Sequence, residues 1–514
     1  MSVLKDNNKV IIKNTIVLYV RMLFLMLISL YTSRILLDSL GVIDYGIYNV
    51  VGGIVLWFSF INSSMTNATQ RFLTYSLGCE CLDKMKKVFC VSMSIHIAIA
   101  LGVFILAETI GLWFMYTQIN IPEDRLNSVF WVYQFSVLSC VIMFTNIPYN
   151  ATIIAREKMN VYALISIIDI LLKLIVVCCL KLSEGDKLTL YAFLILIVQI
   201  IIHIIYHIYC NYKFKETIYR FMWNKILFEN MTKFALWSLF GSLSSVSVTQ
   251  GINILLNIFF GPVINAARGI AVQVYQAVLS FALNFQQAMN PQIIKSYAVE
   301  DFDRMKSLIF SSSKYSFYLI LVFAFPVFIC TDLLLDIWLK EVPAYTANFI
   351  RLSLLNSLIT VTTNPFMIAA NATGNIKKYQ SVVGGILLLA LPLSYVFLRM
   401  GFVPEIVYVV NIVVSIFASI FRLIIVQQLI KISLINYLKE VLVRSLFVLF
   451  ISSLFPCIYN FILPYSNLSS IICCVLSEIL LVVTIYFCGL NSQEKTIIGL
   501  KIKKITGYYG RYKG

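Results

Sequence analysis

Several basic side chains stand inside apolar runs, where a lipid-soluble chain has least use for them. Arg21, Arg34, Arg71, Lys173, Arg268, Arg351 and Arg422 all fall in stretches long enough to cross a membrane, accompanied by fewer acids, among them Glu108, Asp169 and Glu478. Each basic residue at a helix centre costs about 2.5 to 3.5 kcal/mol on insertion scales. An anionic ligand would give a reason to retain them, because a guanidinium fork matches carboxylate or phosphate oxygens two at a time. Snorkelling to an interface is the alternative for Arg34, Arg268 and Arg351 near one set of helix ends, and for Arg71 and Arg422 near the other. Asp169 and Lys173, spaced i, i+4, are expected to pair with each other. Arg21 is the sharpest case: it sits about two turns inside the first span and shares a helix face with Ser29 and Thr32.

A second chemical signal is the run INSSMTNATQRF, residues 61–72, which follows an apolar stretch without a break and carries seven uncharged polar side chains. On a helix, Ile61, Met65, Ala68 and Phe72 form one narrow apolar stripe, and the rest of the circumference is polar. At membrane depth that arc must face protein or water. The second half of the chain has a counterpart, LNFQQAMNPQ, with Asn284, Gln286, Gln287 and Asn290. Two matched polar helices point to a shared hydrophilic cavity lined by Asn62, Thr66, Gln70, Gln286, Gln287 and Asn290. The competing reading is that these side chains glue helices together.

The elements that must hold these groups are transmembrane helices. Of 514 residues, 60% are hydrophobic and 12% charged, outside the composition of soluble domains. Apolar windows of about twenty residues recur throughout, the length that a hydrocarbon core of about 30 Å demands of a helix. Spans are placed at 13–38, 46–76, 88–115, 126–148, 160–182, 187–210, 233–260, 263–290, 308–335, 346–370, 379–400, 405–430, 441–463 and 468–489. The expected fold is therefore all-α and polytopic, with about 14 transmembrane helices, and the first span is expected to stay as an anchor. Segments such as DKMKKV, NIKKY and KIKKITGYYGRYK concentrate Lys and Arg on one side, which places both termini in the cytoplasm. The net charge of +16 then reads as topology and contact with anionic lipid, not nucleic acid. The loops are short, leaving no soluble domain for extracellular chemistry, and there is no nucleotide loop, HExxH or GxSxG.

The chain repeats itself. A shift of 220 residues lays Gly41 on Gly261, Ala68 on Ala288, and DKMK on DRMK; a shift of 217 lays Pro148 on Pro365 and Tyr162 on Tyr379. This implies two six-helix lobes of the same orientation around a central cleft. The division is 1–212 for the first lobe, 213–435 for a connecting surface helix and the second lobe, and 436–514 for two additional helices and a basic tail.

The segment SRILLDSLGVIDYGIYNVVGG, the polar second helix and RFLTYSLG resemble the O-antigen and polysaccharide flippases of the multidrug, oligosaccharidyl-lipid and polysaccharide exporter superfamily. The resemblance implies a bacterial inner-membrane protein that carries undecaprenyl-diphosphate-linked oligosaccharide from the cytoplasmic to the external leaflet by alternating access. It implies no cofactor or metal and no enzyme activity, a monomer among membrane lipids, and polysaccharide polymerase machinery as a partner. Helices 1, 2, 7 and 8 line the cleft in that superfamily, so Arg21, Arg71 and Arg268, with Arg34, would hold the diphosphate and the polar residues the sugars. Asp169 and Glu108 are the candidates for ion coupling. The alternatives are a peptidoglycan lipid-precursor flippase, a multidrug exporter of the same superfamily and, with least support, a membrane oligosaccharide polymerase or ligase.

Overall fold

The computed structural model describes residues 2–56, 59–79, 82–118, 125–222, 224–339, 342–462, 467–492 and 494–496. Among them there are helices and no strands, as expected of a chain whose backbone must satisfy its own hydrogen bonds in lipid. The first group of helices is α1 (Ser2–Leu56), α2 (Ser59–Gly78), α3 (Leu82–Leu106), α4 (Leu112–Gln118), α5 (Leu126–Ala155), α6 (Met159–Lys181) and α7 (Lys187–Lys213). The second is α8 (Lys225–Phe260), α9 (Pro262–Ala298), α10 (Phe302–Ile329), α11 (Thr331–Trp338), α12 (Thr346–Thr373), α13 (Lys377–Leu388), α14 (Ala390–Arg399) and α15 (Ile406–Ile430). The last is α16 (Leu434–Tyr437), α17 (Val443–Ile462) and α18 (Asn467–Thr484). The protein is an all-α polytopic membrane protein.

Thirteen helical segments among the described residues are long and apolar enough to cross a membrane. The expected span 46–76 is missing from that set for a physical reason. Its first part continues α1, residues 57 and 58 lie outside the described residues, and α2 is too polar to qualify on hydropathy alone. Within α1 the helix breaks at Gly41 (φ 74°, ψ 170°), a backbone region open essentially to glycine. Its repeat partner Gly261, between α8 and α9, takes φ 79°. The repeat seen in the sequence is therefore also a repeat of backbone conformation at this turn.

The chain forms two compact units. The first comprises 1–248 with 284–308 and 367–388; the second comprises 249–283, 309–366 and 389–514. In the first, Leu73, Phe89, Val177 and Tyr149 lie in one buried cluster, and Met65, Ala68, Phe144 and Phe234 in another. In the second, Phe366 packs edge-on against Tyr437 at 4.7 Å, and the Tyr437 hydroxyl donates to the Thr362 carbonyl at 3.0 Å. Large apolar side chains such as Leu101, Ile105, Phe417 and Phe450 stay exposed, as lipid-facing positions require.

The segment after α7 differs from the surface helix expected there. It is a single 3-10 turn, Lys215–Thr217, followed by non-helical residues. Phe214, Glu216 and Thr217 are buried, and Glu216 pairs with Arg156. Pulling a carboxylate inward onto a guanidinium is incompatible with laying the whole segment flat on a membrane surface.

Candidate functional site

The apolar stripe of α2 does what its spacing requires. Met65 and Ala68 are buried in a core cluster, and Ile61 and Phe72 pack against it. The polar arc divides into two jobs. The Ser64 hydroxyl donates to the Ala235 carbonyl at 2.7 Å, and Thr69 meets Ser92 at 3.0 Å, so these two join helices. Asn62 and Thr66 instead face a cavity of about 180 Å³ inside the first unit.

That cavity is polar. Asn146 and Asn150 reach it from α5, Ser166 and Asp169 from α6, and Gln199 and Tyr206 from α7. Asp169 takes a hydrogen bond from Lys173 at 2.8 Å through Oδ2, while its Oδ1, like the Oδ1 of Asn150, is buried without a hydrogen-bond partner among the described residues. Unsatisfied oxygens beside a cavity are costly unless something visits them. Arg21 lies with its guanidinium carbon 4.4 Å from the centre of the Tyr162 ring, and its Nε is buried without a hydrogen-bond partner among the described residues. Tyr206 is within electrostatic reach of both Arg21 and Asp169. The structure thus gathers Asn62, Thr66 and Asp169 in one place, with Arg21 close by.

Arg71 occupies a different environment. Its Nε donates to the Asn371 carbonyl at 3.1 Å and its Nη2 to the Ala372 carbonyl at 3.0 Å. These carbonyls lie in the last turn of α12, at the negative end of its dipole; the Asn371 oxygen also accepts from the Gly374 N–H at 3.1 Å. Phe72, Tyr75 and Phe234 surround the guanidinium, with ring centres at 4.5, 5.1 and 5.8 Å. The turn that follows α12 bends at Gly374, φ 78°.

A second clasp lies in the same unit. Glu157, in the turn between α5 and α6, accepts from Gln292 Nε2 at 2.7 Å and pairs with Lys295, both on α9. Arg304 Nη2 donates to the Gln292 side-chain oxygen at 2.9 Å, and Asn14 of α1 reaches the Glu157 carbonyl at 3.3 Å. The two clasps share a logic. The shift of 217 that overlays Pro148 on Pro365 also overlays Glu157 on Gly374, and both residues have positive φ, 56° and 78°. In each case the end of a polar helix, α2 or α9, grips the turn that closes the fourth helix of the other sequence copy.

The remaining expected residues are dispersed. Arg268 donates through Nη2 to the Thr249 carbonyl at 2.8 Å and through Nε to the Asn253 side chain. Gln286 is buried, Gln287 and Gln70 are half-buried, and Asn290 Oδ1 is buried without a hydrogen-bond partner among the described residues. Glu108 sits in a π-helical turn, Ala107–Gly111, and accepts from Gln134 at 3.1 Å, away from the Asp169 cavity. The side chain of Arg34 lies outside what is described. Asn146, Asn150, Gln199 and Tyr206 were not among the expected residues; Asn146 and Asn150, at i, i+4 around Pro148, carry the one sequence signal for two of them.

No protein-family model and no curated protein matches the sequence. Solved structures do. An outward-facing multidrug resistance MATE family transporter of the MOP superfamily aligns with TM-score 0.71 and 12% identity, over 83% of this chain and 96% of that one. A MATE transporter in a straight conformation aligns with TM-score 0.69 and 13% identity, again over 83% and 96%. A MOP superfamily transporter from Pyrococcus furiosus, described as having a binding pocket of reverse polarity that suggests a different function, aligns with TM-score 0.66 and 13% identity, over 82% and 96%. With helices throughout and these alignments across more than four-fifths of its length, the chain has the fold of the MATE transporters of the MOP superfamily.

Proposed function

We propose that the protein is a flippase that moves a polyprenyl-diphosphate-linked oligosaccharide from the cytoplasmic to the external leaflet by alternating access. The observation that carries this reading is the electrostatics of the intramembrane arginines. Arg21, Arg71 and Arg268 have no carboxylate within ion-pair distance among the described residues; their partners are carbonyls, an amide oxygen and aromatic rings. Neutral acceptors leave the positive charge available to a diphosphate, and each charged hydrogen bond that phosphate takes over is worth about 1.5 to 3 kcal/mol. Asn62, Thr66, Gln70, Gln286, Gln287 and Asn290 supply exchangeable hydrogen bonds for sugar hydroxyls.

The clasps fit the same cycle. We read the Arg71–Ala372 and Glu157–Lys295 ends as cytoplasmic, so that both clasps close that side. Release of the α12–α13 turn frees the Arg71 fork for the incoming phosphate. Asp169, with one oxygen on Lys173 and the other unsatisfied beside the cavity, is the coupling carboxylate. Outward movement of negative charge is also helped by an interior-negative potential, by about 2.3 kcal/mol per charge per 100 mV.

A multidrug exporter is the second reading, supported by the description of the outward-facing neighbour. Cationic drugs call for acidic residues at the binding site; Asp169 lines the α2 cavity, but Lys173 already holds one of its oxygens at 2.8 Å, and the charge of Arg21, Arg71 and Arg268 favours an anion. Substrate-stimulated drug resistance in cells expressing the protein, set against accumulation of lipid-linked glycan when it is deleted, separates the two. Resistance without any glycan phenotype would overturn the flippase reading.

A further inference from the structure

The second unit has an open polar pocket of about 450 Å³, lined by Glu440, Arg444, Cys488, Leu490, Asn491 and Ser492. Its walls are unusual. Glu440 belongs to a π-helical turn, Leu438–Leu442, and Cys488 to another, Ile485–Gly489. Such turns are rare and are frequent at functional sites. The floor is fixed from below. The Tyr318 hydroxyl donates to the Gly489 carbonyl at 3.2 Å, and a Cβ at 489 would come within 2.7 Å of that hydroxyl. Glu494 accepts from the Asn491 backbone N–H at 2.6 Å and from Lys314 at 2.6 and 2.7 Å. Lys314 is buried, and a buried ion pair is a costly way to hold a loop unless its shape matters.

The pocket carries one positive and one negative side chain, Arg444 and Glu440. Neither makes a hydrogen bond or ion pair with another described residue, and they are not paired with each other. Immediately beside them, Val443, Phe447 and Phe487 are 59%, 51% and 65% exposed, which puts the pocket where α17 enters and α18 leaves the hydrocarbon. Within the lining one cation stands beside one anion, at the boundary between lipid and water, which matches a headgroup that is itself zwitterionic; the nearby Lys495 ammonium is held on the Phe487 carbonyl at 2.7 Å.

We propose that this pocket binds the headgroup of an aminophospholipid such as phosphatidylethanolamine. Arg444 takes the phosphate as a forked pair, Glu440 takes the ammonium, and Asn491 and Ser492 complete the polar lining. The acyl chains lie along the exposed apolar faces of α17 and α18. A purely anionic lipid would satisfy Arg444 but set its charge against Glu440. The site is independent of the transported cargo.

Native mass spectrometry of the full-length protein tests this, using added phosphatidylethanolamine and phosphatidylglycerol of matched chains. The wild type is expected to retain phosphatidylethanolamine over phosphatidylglycerol by about tenfold, the worth of one charge-assisted contact. Arg444→Gln should lose both lipids, and Glu440→Gln should shift the preference to phosphatidylglycerol. The charge-swapped double variant, with an unchanged melting temperature, controls for folding and should retain the preference for phosphatidylethanolamine. Soluble phosphoethanolamine at millimolar concentration should not displace the lipid. Equal retention of both lipids by the wild type, retention unaffected by Arg444→Gln, displacement by the soluble headgroup, or displacement by polyprenyl diphosphate would each overturn the proposal, the last by assigning the phosphate site to cargo.

Discussion

The guanidinium of Arg71 lies against residue 374 so closely that a Cβ there would stand 2.6 Å from Nη2, and that residue is a glycine with φ 78°. An arginine 303 positions away along the chain therefore dictates the residue type of a turn. Together with Glu157 and Lys295, this contact joins parts of both sequence copies within one compact unit.

Replacing Gly374 by alanine should disturb the turn twice over. The left-handed backbone costs about 1 to 2 kcal/mol for a residue with a Cβ, and the methyl displaces the Arg71 fork. The expected result is a lower melting temperature in detergent and a loss of activity resembling that of Arg71→Lys, which keeps charge but loses the fork. A Gly374→Ala protein as stable and as active as the wild type would show that the close approach has no consequence.

The Glu157–Lys295 pair should be testable by charge reversal. Glu157→Lys alone leaves two cations together and removes a shielded pair, a change of about 3 kcal/mol or more. Cys79 is a convenient reporter, since it is exposed and its thiol contacts the Ala298 carbonyl at 3.6 Å. With Cys79 as the only cysteine, labelling by a membrane-impermeant maleimide should rise in Glu157→Lys and fall back when Lys295→Glu is added. Equal labelling in all three proteins would mean that the pair does not hold this end closed.

Asp169→Asn separates coupling from stability. The Asp169–Lys173 pair is an i, i+4 contact within one helix, worth about 0.5 kcal/mol or less. Melting should therefore change little, while transport should lose its dependence on the ion gradient and fall at least about tenfold. Unchanged transport, or a collapse of stability matching the loss of transport, would remove Asp169 from the coupling role.

One pH effect follows from Asp186, which caps α7 by accepting from the Leu188 N–H at 3.2 Å. Burial raises its pKa, but hydrogen bonds from Thr189, Ser128 and Leu188 and the nearby Arg125 outweigh it and leave the value below the usual 3.8. A depressed folded-state pKa stabilises above the unfolded value, and that contribution is lost as pH falls through the folded one. Melting temperature should thus drop more steeply below about pH 4 in the wild type than in Asp186→Asn, which keeps a capping side chain without the titration. Parallel acid profiles would contradict this.

The all-helical, many-span architecture and the apolar stripe of α2 could be read from residue types, because lipid imposes a strict correspondence between hydropathy and position; which polar side chains of α2 join helices and which face the cavity could not. The glycine pair Gly41 and Gly261 was legible for the same reason: a shared backbone angle leaves a shared residue. The clasps were not legible. Arg71 binds main-chain carbonyls, which have no sequence signature, and Glu157 meets Lys295 across 138 positions in the chain. The partner of Lys314, Glu494, comes from beyond the last span, so nothing near Lys314 in the sequence announces the pair. The turn after α7 departs from the expected surface helix because Glu216 is buried against Arg156, a contact that no spacing of apolar residues announces.

If intramembrane arginines carry an anionic lipid-linked glycan, Arg21 should govern the transfer of a polyprenyl-diphosphate-linked oligosaccharide between the leaflets of proteoliposomes. Comparison of the wild type, Arg21→Lys and Arg21→Ala should show transfer by the wild type, partial transfer by Arg21→Lys, and at least about tenfold slower transfer by Arg21→Ala at equal protein content. Transfer by Arg21→Ala at the wild-type rate, or none by the wild type while organic cations are exported, would contradict it.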